Sequence, residues 1–237
     1  MSIADNLHRL QERIARAAES TGRNANEITL VGVTKYVGAH KAAELVAAGC
    51  QDLGESRPQE LWKKAQEMTS ERAGPSSAPS IRWHLIGHLQ RNKVARTLPL
   101  VSLIHSVDSK RLLAAIHEAN AETNDNPAPT NVLLEVNTSG ESAKHGLAPN
   151  DVEPLLTAAL NYPRVAIRGL MTMAALEGGP ATAARNFATL RELRDRLQPS
   201  APSSVQLKEL SMGMSADFEV AIKEGATIVR IGSALWD

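Results

Sequence analysis

The sequence predicts an α/β protein built as a (β/α)8 barrel, with residues 1–237 forming one domain. Three observations carry that expectation. Eight short apolar runs punctuate the chain, at Ile28–Tyr36, Asp52–Ser56, Arg82–His88, Leu103–Asp108, Val132–Asn137, Ala166–Met173, Glu209–Met214 and Ile228–Ala234. Helical patterns separate them, near 39–48, 57–69, 91–98, 109–122, 150–160, 183–197 and 215–224. Polar residues and glycines gather where the runs end, which is where a barrel assembles a site. An open doubly wound sheet gives a similar alternation and remains the competing architecture on pattern alone.

The first element is a helix. Ser2 is placed to cap it, Ile3, Leu7, Leu10 and Ile14 line one face, and Thr21-Gly22 ends it. The eight runs that follow suit strands buried on both faces of a parallel sheet. Three loops rich in Pro, Ser and Gly (70–80, 124–130 and 198–204) each follow a helix and precede a strand. In a barrel they lie on the face opposite the site, as solvated connectors. Only Glu177–Thr182 follows a strand and could border the site.

Composition narrows the function classes. The 26 basic and 26 acidic side chains balance, and no basic stripe points to nucleic acid. Aromatics are 3 % of the chain, which favours aliphatic helix-on-sheet packing. Cys50 is the only cysteine, so no internal disulfide forms and a reducing compartment is indicated. No apolar stretch reaches membrane-spanning length and the N-terminus opens an amphipathic helix, so the expectation is a soluble, cytoplasmic protein.

The strand ends supply the candidate residues. Lys35 closes the first strand, either as a solvated terminal lysine or as an amine poised to attack an aldehyde. Ser211, Gly213, Met214 and Ser215 lead from the seventh strand into a helix, and Gly232 and Ser233 follow the eighth. These small residues either cap and turn the chain or cradle an anion at a helix N-terminus. Arg230 interrupts an apolar strand and shares a face with Ile228 and Gly232. A structural ion pair is the simpler account of it; donation to a pyridine nitrogen is the other. His84 and His88 are four apart, but they lie on a strand and a turn rather than on a helix, so a metal site is not expected from them. Cys50 has no partner motif for a catalytic thiol.

The segments VTKY, GESRPQELW, WHLIGHLQRNK, HSVD, EVNTSGESAKHG, GLMTM and LSMGMSADFEVAIKEGATIVRIGSALW occur in this order from about Ile28 to Trp236. Together they resemble the pyridoxal phosphate homeostasis protein family. That resemblance implies a barrel similar to the N-terminal domain of alanine racemase, with pyridoxal 5′-phosphate held as a Schiff base on Lys35. It implies a phosphate held around Ser211, Met214, Ser215, Gly232 and Ser233, and Arg230 facing the pyridine nitrogen. His84, Asn137 and Met171 match motif positions that line the pocket. One departure is Ser56, which stands where the family motif commonly has asparagine.

The resemblance further implies buffering or delivery of the cofactor, an indirect influence on amino-acid and keto-acid pools, and apo-enzymes as possible recipients. No efficient turnover is expected, because the barrel consumes the chain and neither Tyr36 nor Tyr162 matches a racemase's catalytic tyrosine. A weak amino-acid racemase is the alternative, and a monomer or weak dimer the expected state.

Overall fold

The computed structural model describes residues 2–70, 80–123, 128–141, 144–202 and 204–237. Eight parallel strands close into a barrel in sequence order, β1 (Thr29–Val33), β2 (Asp52–Glu55), β3 (Arg82–Leu85), β4 (Val101–Val107), β5 (Thr130–Glu135), β6 (Val165–Met171), β7 (Glu209–Ser211) and β8 (Ile228–Ile231). Closure comes from β8 pairing with β1 in the register Thr29↔Ile228 to Gly32↔Ile231. This excludes the open sheet.

Every strand begins within two residues of its expected start, but all stop one to three residues short of the expected C-terminal end. The apolar pattern continues one residue past β3, β5 and β7 through Ile86, Val136 and Met212, whose N–H groups still donate to the carbonyls of Glu55, Met171 and Ile228 in the neighbouring strands. Pairing stops because the chain must splay outward to form the mouth of the barrel.

The helices are α1 (Ile3–Glu19), α2 (Ala39–Ala47), α3 (Pro58–Ser70), α4 (Val94–Thr97), α5 (Lys110–Thr123), α6 (Val152–Ala158), α7 (Gly179–Leu197), α8 (Phe218–Lys223) and α9 (Ser233–Trp236). Ser2 caps α1 through a reciprocal box with Asp5. Because α9 is a single turn, it leaves the barrel wall beside β8 and β1 thinly covered. Helix α1 fills that place, packing on α8, α9 and α2. Its Asn6 amide donates to the Leu235 carbonyl at 3.1 Å and Arg13 meets Glu219 at 3.0 Å. The expected helix at 91–98 is a broken one, with 3-10 turns at Arg91–Lys93 and Leu98–Leu100 flanking α4. Of the three Pro/Ser-rich connectors, residues 71–79, 124–127 and 203 lie outside the described residues; Gln198–Ser200 forms a 3-10 turn that prolongs α7.

The core has two layers. Most buried side chains, Phe187 and Phe218 among them, lie between the helices and the outside of the barrel. A smaller set, Val31, Leu103, Leu133, Met171 and Ile228, packs together as a separate cluster in the lumen. Gly54 belongs to this layer for want of space, since a Cβ there would come within 2.8 Å of Val31.

Candidate active site at the barrel mouth

A continuous chain of polar groups crosses the barrel, from Arg230 in β8 to Asp52 and Arg82 at the starts of β2 and β3. Arg230, 4 % exposed in β8, donates to the Ser211 hydroxyl at 2.6 Å and to the Thr172 carbonyl at 2.9 Å. Ser211 Oγ is 2.8 Å from His105 Nδ1, His105 Nε2 is 2.9 Å from His84 Nδ1, and His84 Nε2 is 3.0 Å from Asp52 Oδ1. Arg82 closes the far end with a two-pronged grip on Asp52. The contact between β4 and β7 spans the lumen.

The two ends fix every proton in between. Arg230 can only donate, so Ser211 must pass its own proton to His105 Nδ1. His105 then donates from Nε2 to His84, and His84 donates from Nε2 to the Asp52 carboxylate. Both nitrogens of each imidazole are thereby bonded. Burial, then the neighbouring His84 and Arg230, push His105 well below the usual histidine value. Burial opposes ionisation of Asp52, but the bonds from His84 and Arg82 prevail and hold its carboxyl below the ordinary range. Burial likewise lowers Arg230 to about 10, against the fields of Glu135 and Asp217.

Arg230 therefore has no structural ion pair among the described residues. A guanidinium buried among neutral acceptors is costly unless something at the mouth uses it. His84, 5 % exposed, stands in the middle of the polar chain. Met171, 1 % exposed, is part of the lumen packing.

Lys35 lies two residues beyond β1, in the turn that leaves the strand, and is exposed rather than partly buried. Its Nζ sits 4.8 Å from the centroid of the Tyr36 ring, so the two side chains meet although strand alternation would part them. The backbone beneath it is held firmly. Lys64 of α3, 4 % exposed, donates to the Thr34 carbonyl at 2.6 Å and pairs with Glu55 at 2.5 Å. Glu55 is fully buried and also accepts from the Thr34 hydroxyl and the Ser56 amide. This ion pair fixes the peptide that carries Lys35.

The two small-residue turns meet. Ser215 does not cap the following helix, because α8 starts at Phe218 and Asp217 instead accepts from the Met214 amide at 2.6 Å. The Ser215 hydroxyl accepts from the backbone N–H of Gly232 at 3.1 Å and of Ala234 at 3.4 Å. These amides converge on one oxygen, beside the exposed Ser233 and Met214. Gly213 makes the turn possible with φ of 93°, and a Cβ there would come 2.6 Å from Ala221. Ser211 is not in this turn; it is fully buried on the polar chain. Asn137 spends its amide on its own loop, donating to the Glu141 carbonyl and accepting from Ser139 and Gly140.

Sequence reasoning missed Asp52, Lys64 and His105. His105 shares a strand face with Leu103, which marks it as inward-facing; Lys64, in a Lys-Lys pair on an amphipathic helix, carries no such signal.

A closed parallel barrel with a lysine after its first strand and a buried arginine in its eighth defines a class. The chain matches the family model "Alanine racemase, N-terminal domain" over residues 6–237 and belongs to that family. More narrowly, it belongs to the pyridoxal phosphate homeostasis proteins. It is 40 % identical over 236 residues to the member from Aquifex aeolicus (strain VF5), covering 100 % of this chain and 98 % of that one. PipY of Synechococcus elongatus PCC7942, solved with PLP bound, is 32 % identical with a TM-score of 0.83 over 100 % of both chains. Alanine racemase of Clostridium difficile 630 superposes with a TM-score of 0.69 at 15 % identity, over 98 % of this chain and 56 % of the racemase; the fold alone is shared.

Proposed function

We propose that this protein binds pyridoxal 5′-phosphate at the barrel mouth and serves to hold and hand on the cofactor. The observation that carries the reading is Arg230, a buried cation braced by Ser211 and Thr172 with no carboxylate bonded to it among the described residues. The donor set fits the group. Lys35 offers an amine to the aldehyde, Arg230 an N–H to the ring nitrogen, and the Gly232 and Ala234 amides with Ser215 and Ser233 hold the phosphate. PipY, similar over its whole length, was solved with PLP bound.

When bound, the cofactor supplies an electrophilic aldehyde and a conjugated ring able to accept electrons. The residues of this chain limit that second capacity. Arg230 cannot give up its proton, so it leaves the ring nitrogen unprotonated and the ring a weak electron sink. The Asp52–His84–His105–Ser211 chain keeps Arg230 in place and offers no free proton. Lys64 and Glu55 keep the Lys35 turn from shifting. This arrangement suits retention and transfer to apo-enzymes more than turnover. We place the action in the cytoplasm, with the protein a monomer or weak dimer; the buried, reduced Cys50 suits a reducing compartment. No helix among the described residues is long and apolar enough to cross a membrane.

The test is spectral. Purified protein mixed with pyridoxal phosphate is expected to gain visible absorbance that borohydride bleaches, with the label recovered on Lys35 by peptide mapping; Lys35→Ala stays colourless. Label on Lys144, whose Nζ binds the Ala174 carbonyl at 2.7 Å, would overturn the assignment. The loaded protein should also activate an apo-enzyme while showing no turnover near about one per second with a panel of L-amino acids.

A further inference from the structure

Three ligating side chains converge on the rim of the mouth where none of the groups described so far is at work. His88 follows β3, Asp108 follows β4 and His145 lies in the loop after β5. One ligand atom from each falls within 4.8 Å of the others. The strands involved stand across the ring from β8 and β1, which carry Arg230 and lead into Lys35.

The gathering is unsatisfied. His88 Nδ1 is 3.9 Å from Asp108 Oδ2, beyond hydrogen-bond range, and the two imidazoles are stacked with centroids 5.2 Å apart and planes inclined by 21°. Among the described residues, none of the three side chains makes a hydrogen bond. Close by, Glu135 ends β5 only 5 % exposed, and its carboxyl also has no hydrogen-bond partner among the described residues. The other histidines near carboxylates differ. His84 is saturated by its neighbours, and His8 and His40 merely face glutamates one turn along exposed helices.

We propose that His88, Asp108 and His145 form a binding site for a divalent transition-metal ion. Two imidazole nitrogens and one carboxylate oxygen make a borderline donor set, suited to Zn2+, Co2+ or Ni2+ and poorly matched to Mg2+ or Ca2+, which prefer all-oxygen cages. Drawing atoms already within 4.8 Å onto one ion at about 2.0–2.2 Å needs only small rotamer shifts. His88 and His145 are exposed, and a cleft of about 620 Å³ opens beside His88 and Asp108, so an ion has a route in. Three protein ligands leave positions for water or for an oxygen of a molecule entering the mouth. The acidic pair Asp108 and Glu135 offsets the ion's charge. No thiol competes, since Cys50 is buried elsewhere in the core.

The site does not depend on the cofactor reading, and the experiment separates the two. Untagged full-length protein, freed of metal by a chelator, is titrated calorimetrically with ZnCl2 and followed with CoCl2 by visible absorption. One equivalent of Zn2+ should bind at about 10 µM or tighter, with a Co2+ spectrum showing nitrogen ligation, and Mg2+ should not compete. His88→Ala and His145→Gln should each weaken Zn2+ at least about tenfold, whereas His40→Ala changes nothing. Circular dichroism establishes that each variant is folded. Lys35→Ala should keep the full affinity, which excludes chelation by a bound aldehyde cofactor. Absence of saturable binding below about 1 mM, or equal affinity in folded His88→Ala and His145→Gln, overturns the proposal.

Discussion

The buried pair behind the Lys35 turn gives the most demanding test of how the site is built. Replacing Lys64 with Met keeps the length and apolar stem of the side chain but removes its charge and its bond to the Thr34 carbonyl. Glu55, 0 % exposed, is left with the Thr34 hydroxyl and the Ser56 amide and no opposite charge. Removing one member of a buried ion pair costs about 3–5 kcal/mol, chiefly by stranding the other. For a chain of this size that corresponds to a fall of about 6–20 °C in Tm. Urea denaturation at pH 7 measures the loss, and the rate of cofactor release reports on the Lys35 turn, which should loosen. The double variant Glu55→Gln/Lys64→Met should be more stable than Lys64→Met alone, because no buried charge is orphaned. A single-variant loss below about 1 kcal/mol, the value of an exposed pair, would refute the account, as would strict additivity in the cycle.

Three further outcomes follow from the described geometry. His105 is held neutral in the folded state well below its ordinary value of 6.5, so the unfolded chain takes up a proton the folded one refuses. Stability should therefore fall as pH drops below about 6.5, and thermal melts of His105→Gln should lose that slope; parallel pH profiles would contradict it. Burial raises the Cys50 thiol to about 11, so iodoacetamide should label it only in unfolded protein, and rapid labelling of the native state would count against the packing. Gly213→Ala places a Cβ 2.6 Å from Ala221 and 2.9 Å from the Phe218 backbone at a positive φ. It should cost about 2–4 kcal/mol in urea denaturation and weaken phosphate retention, and a cost below about 1 kcal/mol would show the turn to be pliable.

The barrel was legible because its evidence is periodic: apolar runs of strand length alternate with helical faces, and that rhythm survives in the primary structure. Strand ends were less so. Ile86, Val136 and Met212 read as strand because each is apolar and still donates one bond to the neighbouring strand, just beyond the paired residues. At the site, residue types that stand out against their surroundings were found, as with Lys35 and Arg230 at the end of, or inside, apolar runs. Residues whose role depends on a partner far away in sequence were not. His105 meets Ser211 across 106 positions, and nothing near either one records it. Ser215 was read as either a helix cap or part of an anion cradle, and its partners, the amides of Gly232 and Ala234, come from another loop. His88 and His145 became a pair only when β3 and β5 were set on one rim.

That the ring is sealed by α1 bears on how the chain reaches its native state. Helix α1 emerges from the ribosome long before α8 and α9, the surfaces that receive it. Until they exist, α1 has only α2 and the turn before β1 to pack on, and β1 lacks β8 along one edge. Stepwise assembly from the N-terminus thus cannot run to completion; the final event must join the earliest and latest segments at once. A circular permutant that links Trp236 to Ile3 through a short linker and opens the chain at a distant connector would turn this longest-range docking into a local one, and should fold faster without loss of the barrel.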